Sequence, residues 1–274
     1  MNSAGSSNPI LSACLTVGYG NKPPILQNAE LEIRRGEVLG LIGQSGSGKS
    51  TMAMAILGLL DRRKVQAQGQ ITFNGCDLLK AREKELRTIR GRKISLVLQS
   101  PLSSLNPALK IRTQLSEAWH AHAAGSNTDC EQAIRTALEN VSLPATDEFL
   151  RKYPSQMSVG QAQRVLIAMA ILHRPELLIA DEATSALDVI TQSEILELFR
   201  SLNRSTGMAI LYISHDLASV AGICDRIAIL HAGRIVEQGS TAAVLTNPSH
   251  EYTRRLMAAM PQMPRATVAQ AAAR

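Results

Sequence analysis

Residues 37–60 read EVLGLIGQSGSGKSTMAMAILGLL, from Glu37 to Leu60. The opening EVLGLI, Glu37 to Ile42, is a short apolar run with the character of a buried parallel strand. Gly43 to Gly48 breaks the run. From Lys49 to Leu60 the apolar residues fit a buried helix, so the order is strand, glycine loop, helix, the opening of a nucleotide-binding α/β unit. The loop fits G-x-x-x-x-G-K-[ST], and its chemistry needs these residue types. Glycines let the backbone wrap closely around phosphate with successive N–H groups turned inward. The helix behind adds its dipole and its unpaired amides. Lys49 brings a point charge to the β- and γ-phosphates, and Ser50 offers a hydroxyl to Mg²⁺. A glycine loop that binds nothing is the bland alternative, and the full match between a strand and a helix argues against it.

Outward from the loop, the pattern predicts strands at Leu11–Val17, Leu26–Ile33, Ile71–Phe73, Ile94–Leu98, Leu177–Ala180 and Ala209–Ile213. An amphipathic helix is expected near Val189–Leu202, and a hairpin over Asp225–Gly239 turning near Ala232-Gly233. Between about 101 and 157, Glu, Gln, Ala and Leu recur at helical spacing, punctuated by Pro101, Pro107, Pro144 and Pro154. This reads as a helical insert. The basic run Arg82–Lys93 is most simply a solvated helix face. Residues 1–9 read as a disordered lead, 10–260 as one domain carrying the insert, and 261–274 as a loose tail. The strand LLIA ends in Asp181 and Glu182, and carboxylates at the exit of a buried parallel strand face the ligand edge of such a sheet. Asp181 suits a Mg²⁺ shell, and Glu182 suits a general base that polarises the attacking water.

The chain has 274 residues, room for one large domain with an insert. Hydrophobic residues make up 45% and charged residues 19%, with mean hydropathy near zero, which excludes wholesale disorder and a membrane-embedded chain. The longest strongly apolar run, Val165–Leu172, falls far short of the roughly 20 residues that a spanning helix needs. The N-terminus lacks a basic and apolar leader, so no secretory signal is expected. Cys14, Cys76, Cys130 and Cys224 lie far apart without ligand spacing, the pattern of reduced thiols rather than a zinc or iron–sulfur site. Aromatic residues are only 3%, which leaves a base-stacking nucleic-acid platform few rings to use. The net charge of +6 permits an anionic partner and selects none.

Further motifs follow in a fixed order. Met157-Ser-Val-Gly-Gln161 is followed by Ala-Gln-Arg164; Gln99 follows the strand ISLVL; Ser185-Ala-Leu-Asp188 follows Glu182; His215 ends a later strand; Tyr19 precedes the phosphate loop. With these the chain resembles the ATP-binding cassette (ABC) ATPases over about residues 10–260. The resemblance implies a P-loop NTPase (RecA-like) α/β core with an antiparallel β subdomain and a helical subdomain. It implies ATP and Mg²⁺ as cofactors. ATP would lie on Gly43, Gln44, Ser45, Gly46, Ser47, Gly48, Lys49, Ser50 and Thr51, with Tyr19 stacking on adenine. Ser50, Gln99 and Asp181 would hold the metal. Glu182 would act as base, Gln99 would sit beside the reacting group, and Lys49 and His215 would stabilise its charge. The signature residues Ser158, Gly160 and Gln161 would reach the γ-phosphate held on an opposing cassette, alongside the D-loop residue Asp188, so hydrolysis would need a dimer.

On the residues alone, Ser158 with Gln161 three positions on is a capping box opening the helix QAQRVLIAMAIL. The first glycine of the family signature is Val159 here, and its leucine is Met157. A β-branched side chain beside phosphate-facing amides is expected to crowd a closed site. The segment Gln99–Pro107 (QSPLSSLNP) and the run Asn247–Leu256 (NPSHEYTRRL), with Pro261 beyond, resemble the dipeptide, oligopeptide and nickel importer branch. That branch implies an ATP-hydrolysing motor for uptake of a peptide, nickel or a metal–chelator complex. The motor would sit peripherally on the cytoplasmic face of a bacterial membrane. Its partners would be a second ABC ATPase, a different chain or a copy of this one, two permeases, and indirectly an extracytoplasmic solute-binding protein, with no nucleic acid. The alternative is a soluble cassette ATPase of DNA or the ribosome. The stretch from Ser50 to Ser158 is too short and lacks the heptads of the DNA-repair type, and the single cassette departs from the translation type. No N-K-x-D guanine-reading segment supports a GTPase. A non-catalytic nucleic-acid module would leave the Asp181–Glu182 pair unexplained.

Overall fold

The computed structural model describes residues 8–20, 22–61 and 63–258. Of the lead expected over residues 1–9 only Asn8 and Pro9 are among them, and the tail expected over 261–274 lies outside the described residues. The strands are β1 (Leu11–Tyr19), β2 (Leu26–Ile33), β3 (Val38–Ile42), β4 (Val65–Phe73), β5 (Cys76–Asp77), β6 (Ile94–Val97), β7 (Leu177–Asp181), β8 (Ala209–Ser214), β9 (Arg226–His231) and β10 (Arg234–Ser240). The helices are α1 (Lys49–Ile56), α2 (Glu83–Ile89), α3 (Pro101–Ser104), α4 (Ile111–His120), α5 (Asn127–Asn140), α6 (Asp147–Leu150), α7 (Val159–Ile171), α8 (Val189–Thr206), α9 (Leu217–Ile223), α10 (Thr241–Thr246) and α11 (Glu251–Ala258). They form two compact units: residues up to Leu86 together with those from Ala209 onward, and Arg87–Met208.

In the first unit, β2, β1, β4 and β5 make an antiparallel sheet. β1 pairs with β4 along its whole length, from Leu11 opposite Phe73 to Tyr19 opposite Val65. The alternating apolar residues of β1 and β2 (Leu11, Ala13, Leu15, Val17; Leu26, Ala29, Leu31, Ile33) turn to the buried face. β4 is far longer than the expected Ile71–Phe73. Its polar start, VQAQGQ, hid the strand, yet the backbone pairs regardless of side-chain polarity. Gly69 sits within this pairing where only glycine fits: at φ 113° a Cβ there would lie 2.1 Å from the Cys14 carbonyl oxygen across the ladder.

The same unit holds a second sheet in which β3 runs parallel between β8 and β9. Every residue of β3 and of β8 is buried, as apolar runs without alternation require. Asp225 binds the start of β3 twice: its carboxylate accepts from the Val38 N–H at 2.8 Å, and its own N–H donates to the Val38 carbonyl at 2.8 Å. The β9–β10 hairpin turns at Ala232 and Gly233, φ 46° and 79°, the left-handed pair of a tight hairpin. Helix α1 ends earlier than Leu60. Gly58 at φ 62° and Leu59 donate to the Ala55 and Met54 carbonyls, a left-handed glycine closure that stops the helix.

In the second unit, β6 and β7 pair in parallel, Ile94 with Leu177 through Val97 with Ala180. Around them lie short helices and the longer α4, α5, α7 and α8. Pro101 and Pro154 stand at the first positions of helical turns, where a missing N–H costs nothing. Ser126 opens α5 with a complete capping box to Asp129, and Asp188 caps α8. Gly207 at φ 69° closes α8, which continues past the expected Leu202 to Thr206. Within α2, the basic run's helix, Leu86 and Ile89 are buried, so this helix is amphipathic rather than wholly solvated.

Candidate functional site

The phosphate loop lies between β3 and α1 in the first unit. Gly43 sits so close to β9 that a Cβ would stand 2.3 Å from the Leu230 carbonyl oxygen. At the other end, Gly48 caps α1 at φ 109° with no side-chain cap, and a Cβ there would strike Leu26 at 2.6 Å. Sterics therefore require glycine at Gly43, and the left-handed backbone as well as sterics requires it at Gly48. Lys49 is 5% exposed, and its Nζ donates to the Gly43 carbonyl at 2.8 Å and the Gln44 carbonyl at 3.1 Å. The buried Ser47 hydroxyl has no hydrogen-bond partner among the described residues. A buried donor facing a loop of backbone amides fits an anionic ligand. Gln44, Ser45, Gly46 and Ser50 are exposed, and Thr51 is half-buried. Tyr19, the last residue of β1, is half-buried. His215 is exposed immediately after β8, ahead of Asp216, which caps α9 through the Ala218 and Ser219 N–H groups.

The remaining predicted residues belong to the second unit. Asp181 ends β7 and is 7% exposed. Glu182 follows at φ 49°, a left-handed backbone in a residue with no glycine freedom. Its carbonyl accepts from both the N–H and the hydroxyl of Ser185, at 3.1 and 3.0 Å, which holds the turn. Non-glycine residues kept in this region tend to mark functional sites. Gln99 is exposed on the loop after β6.

The signature and D-loop residues come together. Ser158 caps α7 as the capping box predicts: its hydroxyl accepts from the Gln161 N–H, and the Gln161 side chain accepts from the Ser158 N–H, both at 3.2 Å. Gly160 packs against the first turn of α8, where a Cβ would meet Thr191 Cγ2 at 2.7 Å. The Thr191 hydroxyl donates to Asp188 at 2.7 Å, and Arg164 donates to Glu194 at 3.0 Å. Two helix N-termini are thus tied side by side, each capped by a side chain. The backbone donors to the Asp188 carboxylate, the Thr191 N–H first among them, hold its pKa below the ordinary range. Val159 at the start of α7 is 38% exposed, and Val189 and Ile190 at the start of α8 are exposed as well.

Three supports were not legible beforehand. Gln114, buried in α4, accepts from the Asn106 N–H and donates to the Asn106 and Leu109 carbonyls, which anchors the Gln99–Pro107 segment from behind. Tyr252 of α11 accepts a hydrogen bond from the Gln44 N–H of the phosphate loop. Glu237 of β10 accepts from the Ser249 and His250 N–H groups ahead of that helix. A lone Gln or Glu carries no sequence signal for such roles. The only trace of Tyr252 lay in the Asn247–Leu256 run.

Residues 26–185 match the family model described as ABC transporter. The probable D,D-dipeptide transport ATP-binding protein DdpD of Escherichia coli strain K12 is 40% identical over 246 residues, 89% of this chain and 75% of that one. The oligopeptide transport ATP-binding protein OppD of Salmonella typhimurium strain LT2 is 43% identical over 232 residues, 84% of this chain and 69% of that one. Among solved structures, the ATP-binding cassette MJ0796, in a dimeric post-hydrolysis state bound to ADP and phosphate, aligns with a TM-score of 0.72 at 28% identity over 84% of this chain and 98% of its own. CbiO1 of Clostridium perfringens, part of the transporter complex cbiONQ, aligns with a TM-score of 0.77 at 25% identity over 96% of this chain and 98% of its own. The glycine-walled loop at the head of α1, the cassette fold of these structures and this degree of identity lead to one conclusion: the chain belongs to the ABC transporter family and is an ATP-hydrolysing cassette of that family.

Proposed function

We propose that this cassette drives import of short peptides, as one of two ATPase subunits under a pair of permeases on the cytoplasmic face of a bacterial membrane. The observation that carries this reading is the identity of about 40% to ATP-binding proteins named for dipeptide and oligopeptide transport, over most of the chain. The exposed apolar side chains beside Gln99 support a permease contact: Leu98 is 39% and Leu102 47% exposed, in a segment braced by Gln114. No described helix is long and apolar enough to cross a membrane, so the permeases would supply the path.

In this reading the loop Gly43–Thr51 takes the triphosphate, and Lys49 leaves the Gly43 and Gln44 carbonyls to neutralise its charge. Mg²⁺ takes hard oxygen ligands, and Ser50, Gln99 and Asp181 supply a hydroxyl, an amide and a carboxylate oxygen of that kind. The metal would screen the charge between the outer phosphates. Glu182 takes the proton of the attacking water, with its backbone held by Ser185, and His215 stabilises charge on the transferring group. Ser158, Gly160, Gln161 and Asp188 act on the nucleotide of the opposing cassette, and Tyr19 stacks on adenine. Peptide is favoured over nickel or a metal–chelator complex by the names of the relatives. The test is peptide uptake in a strain lacking the chain, together with purification in mild detergent. Loss of di- or oligopeptide uptake and co-purification with two permeases are expected; normal peptide uptake, or recovery on ribosomes or DNA, overturns the reading.

A further inference from the structure

We propose that Tyr252, on helix α11 near the end of the described chain, is a positioning residue of the phosphate loop. It would fix the Gly43–Gln44 peptide so that the loop is ready for ATP. The inference rests on the reading of that loop as the nucleotide site.

One peptide plane carries the argument. Its carbonyl, that of Gly43, accepts from Lys49 Nζ at 2.8 Å, and its N–H, that of Gln44, donates to the Tyr252 hydroxyl at 3.3 Å. The plane is therefore pinned at both ends. When Lys49 turns from this carbonyl to a phosphate, one pin is lost. Tyr252 then keeps the peptide from rotating, at the place where the backbone enters the loop.

Tyr252 is itself held firmly. Its ring stacks on His231 at 3.7 Å between centroids and 21° between planes. His231 ends β9, next to Leu230, whose carbonyl walls Gly43. The Tyr252 N–H donates to His250 Nδ1 at 3.1 Å. Ahead of α11, Glu237 gathers the Ser249 N–H at 2.7 Å, the Ser249 hydroxyl at 2.9 Å and the His250 N–H at 3.1 Å. Arg254 donates back to the Ser249 carbonyl at 2.9 Å. A hydroxyl on so constrained a ring holds its partner with little further loss of side-chain entropy. The segment after β10 thus touches the nucleotide loop directly, through the Tyr252 hydroxyl.

The test is Tyr252→Phe in the full chain, which keeps the ring stack and removes the hydroxyl. The KM for MgATP is expected to rise roughly three- to tenfold, the range for loss of one neutral hydrogen bond, with kcat falling less than KM rises. The melting temperature should stay near that of the parent chain, and amide exchange in peptides covering residues 43–46 should quicken. An unchanged KM, or a lower melting temperature with unchanged KM and exchange, overturns the proposal. Lys49→Ala separates the two readings. If it leaves MgATP binding intact, the loop is not the nucleotide site; if it abolishes binding while Tyr252→Phe binds as the parent does, only the role of Tyr252 fails. Should Tyr252→Phe not fold, the parent chain gives the answer: binding of a slowly hydrolysed ATP analogue should slow exchange in residues 249–256, and no change there overturns the inference.

Discussion

The phosphate loop and the signature segment both present the N-terminus of a helix, and they are built in opposite ways. The loop before α1 has no side-chain cap; glycine walls at Gly43 and Gly48 and the buried Lys49 shape it. The start of α7 is closed by the reciprocal bonds of Ser158 and Gln161 and braced through Gly160 against α8. In the first, no side chain caps the helix, and a lysine occupies two of the loop carbonyls. In the second, side chains already satisfy part of the helix end. In the proposed reading, the glycine loop takes a nucleotide that it wraps, and the capped helix end takes one that another cassette carries.

The widest break in this comparison is expected from neither helix. Glu182→Gln removes the proposed base and should cut ATP turnover about 10²- to 10⁴-fold while ATP stays bound in a closed dimer; undiminished turnover sinks the assignment. Next, Lys49→Ala removes the charge of the loop. A fall of about 10²- to 10³-fold in ATPase activity with weakened MgATP binding is expected, and steady-state kinetics with binding titration check it. Ser158→Ala acts on the other design. Loss of the cap should cost about 1 kcal/mol, a drop of a few degrees in melting temperature by calorimetry, whereas Ser158→Thr should restore most of it. Val159→Gly should raise the ATPase rate of the assembled transporter modestly by relieving crowding at the signature; no gain counts against that crowding.

The smallest effect concerns the outer support of the loop. Burial pushes the Glu237 carboxyl up, but the nearby Thr253 hydroxyl and the hydrogen bonds that it accepts from Ser249 and His250 outweigh this and leave its pKa lowered. A lowered carboxylate contributes stability above its unfolded value and loses it as pH falls through the folded one. Melting curves of the parent chain and Glu237→Gln should therefore differ at neutral pH and converge in acid. A constant gap across the range would contradict the assignment.

Much of the first unit was legible. β1, β2 and β8 announce themselves by alternation or unbroken apolar runs, and the β9–β10 turn by Ala232-Gly233. β4 was half-missed because VQAQGQ pairs by backbone, which leaves no hydrophobic signature. Helices α10 and α11 went unread because each is short, six and eight residues, too brief for a helical period to show. In the second unit the capping box at Ser158 was readable because both its bonds are local. The meeting of Gly160 with Thr191 was not, since it depends on how α7 and α8 pack.

By itself the sequence determined the phosphate loop, the Asp181–Glu182 pair, the capped signature helix and the family, because each is written in contiguous residues whose chemistry is local. Only the tertiary structure decided that Gly43 is walled by Leu230, that Gly160 and Asp188 meet through Thr191, that Gln114 braces the Gln99 segment and that Tyr252 holds the Gln44 amide. Those contacts join residues up to 208 positions apart. Packing, rather than any periodicity in the chain, brings such residues within reach of a hydrogen bond.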